Sequence, residues 1–355
     1  MEAAVNGAYV TNPTLEVGSH LSDETAQLIV ADHTTAETER GQLTLTPQFS
    51  ATRYKHESDL DITTGSLDLA FVEKLERGQW SFDAQGLTDS TVTSELGTTG
   101  VTNVNRRHTA GSLSLGYQYS SSERLTWQVQ ASGQLTRYTD AAAFGLVNYD
   151  YGSAQFGPLW SFSERVQGSL NLEADRINPQ GGIKQDNYSA YVQLKRSFSE
   201  KYAWRVSAGA TRIDYGSASA SAGSATTSVY ELGASRKGER VQWDVSIKRA
   251  VLPIGIGLLA PETVAAFAMT VATTERSSLS LTVNGIRTEP VHEYQFLVYS
   301  GGWWGQVAAE WKYQFTTHWA LSAAYIAARA RYSSESDWAN GNQARFGILW
   351  QSGRL

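Results

Sequence analysis

Residues 123–136 read ERLTWQVQASGQLT, a polar turn followed by a long alternating run. From Leu125 to Leu135 the odd positions are apolar or small, while the even positions from Thr126 to Thr136 are all polar. A period of two predicts a β-strand with one apolar and one polar face. The run is about 10 residues long, the length of a tilted strand that crosses a bilayer, whereas strands of soluble sheets average about 5–6 residues.

The same unit of turn and alternating strand recurs along the chain. Successive turns lie 36 to 47 residues apart, which fits one hairpin plus one loop. Their basic residues are Arg40, Arg77, Arg124, Arg165, Lys201, Arg240, Arg276 and His318. The connections at the opposite ends of the strands are longer and variable, for example 88–103, 138–147, 177–187 and 215–227. Short turns at one end and long loops at the other are typical of outer-membrane β-barrels.

This pattern predicts the fold class and its strand count. Eight turns flank sixteen strands, and strands near 7–18 and 338–351 bring the total to about eighteen, with sixteen as the alternative. We therefore predict an all-β protein: a transmembrane, antiparallel, up-and-down barrel that forms a single domain over residues 1–355. The short turns are expected in the periplasm and the long loops outside the cell.

Composition supports a barrel in the bacterial outer membrane over other classes. The most apolar stretch, VLPIGIGLLAP at 251–261, is shorter than the roughly 18 residues of a membrane-spanning helix. The chain contains no cysteine, and its net charge of −6 makes nucleic acid a poor partner. Aromatic residues sit beside the turns as an interfacial girdle would: Trp80, Trp127, Phe162, Phe198, Tyr202, Trp204, Trp243, Tyr313, Phe315 and Trp319.

The polar face of each strand is predicted to line the barrel lumen. Most of its residues are Ser, Thr, Gln, Asn or Gly, which suit a neutral, hydroxyl-rich solute, although any water-filled barrel needs a polar wall. The candidate pore-lining residues are Asp68, Asp83, Gln128, Gln130, Glu173, Lys195, Arg205, Glu231, Asp244, Lys248, Glu310 and Lys312. No single loop is expected to be long enough to plug the lumen.

Aromatic and basic residues near the long loops form a second candidate set. The aromatic members are Tyr54, Tyr138, Tyr149, Tyr151, Tyr215, Trp303 and Trp304. Their rings would stack on sugars or form an outer-leaflet girdle, and we favour the girdle for most of them. Arg106 and Arg107 would contact lipopolysaccharide phosphates or an anionic polymer, or they are solvated strand ends.

Motifs for catalysis and metal binding are absent from the sequence. Only His56, near Asp59 and Asp61, faintly resembles a catalytic pair. We therefore expect no enzyme activity, no cofactor and no metal. The final strand, with Gly347 and Trp350, resembles the C-terminal signal that directs barrel assembly, although residues 351–355 follow it.

Several stretches together resemble the outer-membrane β-barrel proteins of bacterial exopolysaccharide synthesis and export systems. They are GAYVTNPTLEVGS (7–19), TLTPQFSATRY (44–54), SLDLAFVEKLERG (66–78), LTDSTVTSELGTTGVTNVNRRH (87–108) and SLSLGYQYSSSERLTWQVQASG (112–133). The pattern SELxxTGxxxVxRR within 87–108 is the most particular of these. The resemblance implies a monomeric conduit that exports a secreted polysaccharide together with a periplasmic partner, and it implies no catalytic residues.

Two other functions remain open at this point. One is a general or sugar-selective diffusion porin, and the other is a structural or surface-binding barrel without transport. In each case lipid, lipopolysaccharide and a sugar or polysaccharide are the expected partners.

Overall fold

All but two of the described strand segments form one closed sheet. The computed structural model describes residues 1–99, 105–216, 223–293, 296–299, 301–332 and 337–353, so parts of the loops expected at 88–103 and 215–227 lie outside the described residues. Within the described part, no helix is long and apolar enough to cross a lipid bilayer.

Twenty-one β-strand segments follow one another along the described chain. They are β1 (Glu2–Thr11), β2 (Ser22–Ala31), β3 (Thr34–Glu37), β4 (Gly41–Tyr54), β5 (Ile62–Lys74), β6 (Gly78–Ser90), β7 (Arg107–Ser120), β8 (Leu125–Tyr138), β9 (Tyr149–Ser163), β10 (Val166–Pro179), β11 (Gln185–Ser197), β12 (Tyr202–Tyr215), β13 (Gly223–Lys237), β14 (Val241–Ile254), β15 (Leu258–Ala272), β16 (Ser277–Thr288), β17 (Val291–Glu293), β18 (Phe296–Tyr299), β19 (Gly302–Gln314), β20 (Trp319–Tyr332) and β21 (Ala339–Gln351). Three helical turns lie in the long loops: α1 (Thr91–Ser94) and two 3₁₀ turns, Ser58–Leu60 and Ala141–Phe144.

These segments make an eighteen-stranded antiparallel barrel. β2 and β3 pair with successive parts of β4 and act as one interrupted strand, and β17 and β18 form a separate small hairpin. The ring closes because β1 pairs with β21 along its whole length. The predicted count of eighteen is thus confirmed.

The first strand differs from its predicted position. It spans Glu2–Thr11 rather than 7–18. Asn12 and Leu15 have positive φ angles of 46° and 51°, which turn the chain out of the strand direction. Residues 12–21 are therefore a loop, and both chain ends lie at the side of the short turns, where the Met1 ammonium group hydrogen-bonds the Ser352 hydroxyl.

The two faces of the sheet separate as the alternation predicts. Large apolar side chains such as Val129, Leu113 and Phe346 are exposed on the outer surface, where they meet lipid. The residues between them face the interior, since directly paired residues of neighbouring strands share a face. The aromatic girdle beside the short turns is confirmed, because Trp80 and Trp319 are among the exposed outer side chains.

The last strand completes the ring. Gly347 faces inward, and a side chain there would collide with the amide of Asn6 on β1. Trp350 lies beside Trp319 of β20 by register. The role of Gly347 and Trp350 in assembly remains a prediction.

A charge on the lipid face should cost far more than a charge on the lumen face. Leu113→Arg places a guanidinium in the hydrocarbon layer and is expected to destabilise the barrel by about 2–4 kcal/mol. Ser114→Arg, the next residue and an inward one, should cost much less because its side chain meets water. Urea unfolding in lipid vesicles measures both variants, and equal losses would contradict the assignment of faces.

Candidate functional site

All twelve candidate pore-lining residues occupy inward-facing register positions. Their contribution to a function remains a prediction. The structure distributes them over two internal cavities, one group of ion pairs and the remaining wall.

One cavity, of about 370 Å³, lies along β4 to β9. It is lined by Asp68, Asp83 and Gln130 together with small hydroxyl side chains. The Gln130 amide donates a hydrogen bond of 2.9 Å to the Ser114 hydroxyl. This part of the wall is polar and water-accessible and carries only two charges.

The other cavity, of about 260 Å³, lies between β8 and β14. Its lining includes Gln128, Glu173, Glu231 and Lys248 from the predicted set. Two tyrosines, Tyr151 on β9 and Tyr191 on β11, also face it, and Tyr191 was missed by the sequence analysis.

A ladder of hydrogen-bonded polar side chains holds this second cavity in shape. The Gln155 amide donates to the Asn171 side-chain oxygen at 2.9 Å, and the Asn187 amide donates to Asp175 at 2.7 Å. Asn187 also accepts a hydrogen bond from the Thr211 hydroxyl. Buried polar side chains that hydrogen-bond one another restrict one another's movement, although one Asp175 oxygen in this ladder has no hydrogen-bond partner among the described residues. The tyrosine rings and the surrounding amides and carboxylates are therefore fixed around one small polar space, which we call the tyrosine pocket, with Tyr151 and Tyr191 as its rings.

The strongest inward charges neutralise one another. The Arg205 guanidinium donates to the carboxylates of Glu231 and Asp244, the latter at 3.2 Å. On the other side of the barrel, Arg345 and Glu310 are 3.8 Å apart. Lys195 and Lys312 face the lumen near the short turns. Arg205 serves two carboxylates, and Asp68, Asp83 and Glu173 have no ion-pair partner among the described residues, so the middle of the wall keeps a modest negative charge.

The extracellular end of the lumen is closed by a segment that folds inward. After β6, the Ser90 hydroxyl accepts a hydrogen bond of 3.2 Å from the Val92 amide and so caps α1. The chain then crosses the barrel mouth. A side chain at Gly97 would collide with Ile286 of β16, and Tyr332 of β20 donates a hydrogen bond to the Leu96 carbonyl at 3.2 Å. In the ring of strands β16 lies nearly opposite β6, and β20 lies two strands nearer to it.

Glu95 is the centre of this segment and is 2% exposed. Its carboxylate accepts hydrogen bonds from the hydroxyls of Tyr138 at 2.6 Å, Thr98 at 2.9 Å and Thr99 at 2.5 Å. It lies directly against Gly255, where any side chain would collide with it. A buried carboxylate is costly unless it is hydrogen-bonded, so these hydroxyls stabilise the inward position of the segment.

The apolar stretch at 251–261 forms the second part of the closure. β14 pairs with β13 only as far as Arg249, so the hairpin beyond it leaves the wall. Val251 and Leu259 then pack on Ile177 and Ile213, which are inward residues of β10 and β12. The Leu259 amide donates to the Gln185 side chain at 2.8 Å. The hairpin tip therefore lies inside the barrel.

Contacts at the rim fix this hairpin. The Val147 amide donates a hydrogen bond of 2.8 Å to the Gly255 carbonyl, and Gly257 makes the turn with a φ of 75°. The Arg249 guanidinium bonds the Glu289 carboxylate and holds the pKa of that carboxyl below its ordinary value. We call the inserted segment 91–99 and the hairpin tip 251–261 together the cap. Neither segment fills the mouth alone, which agrees with the expectation that no single loop is long enough to plug the lumen, but the two segments together narrow it.

The position of the loop-end aromatic residues corrects a further expectation. Tyr138 and Tyr149 are buried in the cluster beneath the cap, with Tyr151 and Tyr215 packed against it. Trp304 packs beside Leu15, Ala330 and Leu96. The girdle interpretation is wrong for these residues, and Tyr54 also occupies an inward register position. Trp303 alone of the set is exposed on the outer surface.

The two basic candidates, Arg106 and Arg107, have different surroundings, and His56 has a different partner from the one expected. Arg106 stacks on the Phe144 ring at 5.0 Å, whereas Arg107 points outward. His56 does not pair with Asp59 or Asp61; its Nδ1 lies 2.9 Å from the buried carboxylate of Asp23. Among the described residues, no group of three or more His, Cys, Asp or Glu is arranged to hold a metal ion.

Comparisons with known proteins extend the fold assignment. No family model matches the chain, and no curated protein matches it significantly in sequence. Among solved structures, the FrpB iron transporter from Neisseria meningitidis (F5-1 variant) is similar with a TM-score of 0.51 and 7% identity over 95% of this chain and 64% of that one. The copper transporter OprC gives 0.52 and 12% over 99% and 67%. The chain spans less than two thirds of the length of the FrpB transporter.

These similarities show the closed antiparallel β-barrel fold of integral bacterial outer-membrane proteins. Both neighbours are transporters by name rather than enzymes. They lend no support to the resemblance to exopolysaccharide systems, and at this identity the likeness concerns the fold and not the cargo.

Loss of one hydroxyl should loosen the inserted segment. Tyr138→Phe removes a hydrogen bond to a buried carboxylate, which is worth about 1.5–3 kcal/mol. Amide hydrogen exchange over 91–99 should become faster by at least about tenfold, since 1.4 kcal/mol is a factor of ten. Tyr188→Phe, on the lipid face, is the control and should change nothing there. Unchanged exchange in Tyr138→Phe would contradict the role given to Glu95.

Proposed function

We propose that this protein is a gated outer-membrane conduit for a hydroxyl-rich, largely uncharged solute, with a secreted polysaccharide as its cargo. The observation that supports this proposal best is the tyrosine pocket beneath the cap. Aromatic rings pack against sugar faces, and fixed amide and carboxylate groups bond hydroxyls, so the pocket offers both kinds of contact.

The cap fits the gate of such a conduit. It closes the extracellular mouth through contacts made by a few residues, and Glu95 is held by three hydroxyls and no cation among the described residues. A closure of this kind opens without unfolding any strand. The polymer and a periplasmic partner are carried over from the sequence resemblance and belong to the proposal.

The solved neighbours raise a second cargo class, since one is named for iron and one for copper. The described lumen offers no ready set of metal ligands. We therefore favour a sugar as the cargo, and the experiment below also tests a metal complex.

Freeing the cap should open the barrel. The double variant Glu95→Ser/Leu96→Ser removes the buried carboxylate and the apolar contact that hold the segment across the mouth. Conductance in planar bilayers is expected to be low for the wild type and severalfold higher for the variant. Leu75→Ser, in a periplasmic turn, is the control. A wild type that already conducts like the variant would show that the cap is no gate.

The tyrosine pocket should bind sugar. A neutral oligosaccharide added to the open Glu95→Ser/Leu96→Ser barrel is expected to interrupt the current, and Tyr191→Ala in that background should weaken the block severalfold. Tyr54→Ala, an inward tyrosine outside the pocket, is the matched control. Block by a ferric chelate or cupric ion, with none by oligosaccharide, would replace the sugar by a metal cargo.

A further inference from the structure

Arginines form a belt on the outer surface near the long loops. Their side chains occupy outward register positions at the extracellular ends of eight strands. The described members are Arg53, Arg107, Arg137, Arg176, Arg212, Arg249, Arg287, Arg329 and Arg331. Cations at this level face the outer leaflet, whose headgroup phosphates are anionic.

Most of the belt is neutralised by the protein itself. Arg137 lies 2.6 Å from Asp150, Arg176 lies 2.6 Å from Asp186, and Arg212 lies 2.7 Å from Asp214. Arg249 bonds Glu289, and Arg53 lies 3.6 Å from Asp61. These arginines have carboxylate partners and so offer little to an anionic ligand.

Four arginines of the belt differ, and three of them are neighbours; the fourth, Arg107, stands apart on β7. Within the described chain, no carboxylate lies within ion-pair distance of Arg287, Arg329 or Arg331. Arg287 is paired by register with Trp303, and Trp303 with Arg331, so these residues form a row across β16, β19 and β20. With a strand spacing of about 4.8 Å, the two arginines of the row start about 10 Å apart.

Aromatic rings hold these three guanidiniums in place. Arg287 lies over the Trp303 ring at 4.9 Å, and Arg329 and Arg331 lie over the Trp338 ring at 4.6 and 5.1 Å. Stacking leaves the edges of a guanidinium free, and these edges donate paired hydrogen bonds to phosphate. Tryptophan is also favoured at the headgroup level of a membrane.

An apolar groove adjoins the same patch. It occupies about 630 Å³ on the outer face of β12 to β16 and ends at Val283 and Gly285, directly below Arg287 on the same strand face. Its wall is formed by Val206, Leu232, Val245, Ile247 and Phe267 among others. Small residues such as Ala265 lie between these larger side chains and form the floor of the groove.

We propose that Arg287, Arg329 and Arg331, with Trp303 and Trp338, bind the phosphates of one lipid A moiety of lipopolysaccharide while the adjoining groove holds one of its acyl chains. A phosphorylated headgroup above acyl chains matches cations above an apolar groove. Simple phospholipids of the inner leaflet do not reach this end of the barrel. The site is independent of the proposed cargo.

Native mass spectrometry of the intact barrel in detergent tests this site. The probe is bisphosphorylated lipid A, compared with dephosphorylated lipid A and phosphatidylglycerol, and inorganic phosphate is added as a competitor. Arg287→Gln/Arg329→Gln/Arg331→Gln should weaken lipid A binding by about tenfold or more, since charge-assisted bidentate bonds are lost. Arg137→Gln/Arg176→Gln/Arg212→Gln removes three charges as well and should change binding less than about twofold.

A third variant keeps the test independent of folding defects. Arg287→Lys/Arg329→Lys/Arg331→Lys preserves charge and should show an intermediate loss, because lysine cannot donate in a bidentate manner. Heat-modifiable migration on gels verifies that each variant is folded. Equal losses in the two glutamine variants, equal binding of phosphatidylglycerol, or displacement by inorganic phosphate would each overturn the proposal.

Discussion

The pairing of β1 with β21 is the constraint on which the rest of the structure depends. In lipid, a backbone N–H or C=O group without a partner costs several kcal/mol, so a sheet must close to span a membrane. Closure fixes an even number of strands here, brings the chain ends together on the side of the short turns and sorts every strand residue to the lipid or the lumen. The alternation of Leu125 to Thr136 follows from that single requirement.

Closure of an eighteen-stranded sheet also leaves a wide interior, and the cap narrows its extracellular end. Eighteen strands enclose an interior wider than their own side chains can fill. The wall is polar along most of its length, yet the extracellular third is packed with Tyr138, Ile177, Ile213 and Leu259. Within this cluster Leu259 of the hairpin tip packs on the wall residues Ile177 and Ile213, and the Tyr138 hydroxyl reaches Glu95 of the inserted segment. The barrel thus combines a polar, water-accessible lumen with an apolar cluster at its extracellular end.

The sequence predicts the strands well because each strand is a local pattern that the bilayer enforces. The count, the two faces and the girdle all follow from a period of two and the spacing of turns. The cap follows from no local pattern. In the sequence, Glu95 is one acidic loop residue among several. Its role depends on its contacts with Tyr138 and Gly255, which are distant in the chain.

Two signals did point to the cap, although neither revealed its geometry. The SELxxTG stretch was the most particular part of the sequence, and 251–261 was its most apolar run. Neither stretch has the pattern of a barrel strand, because the SELxxTG stretch does not alternate and residues 251–261 have no regularly spaced polar positions. The inward tyrosines were misplaced for a related reason: residue type alone does not separate a ring that faces lipid from one that supports a cap.

The outer surface shows how a barrel distinguishes its two ends. Near the short turns, Arg196 and Arg236 lie over Phe198 and Tyr202, so cations and rings share the interface there as well. At the other end, five arginines are neutralised by carboxylates, three are stacked on tryptophan rings, and Arg107 has neither kind of partner among the described residues. Arginines that are paired with carboxylates fit any headgroup layer, because their charge is already balanced. The three stacked arginines need an anionic group such as phosphate to balance their charge. The paired arginines therefore help the barrel to sit in the membrane, whereas the stacked arginines at the same depth recognise a particular lipid.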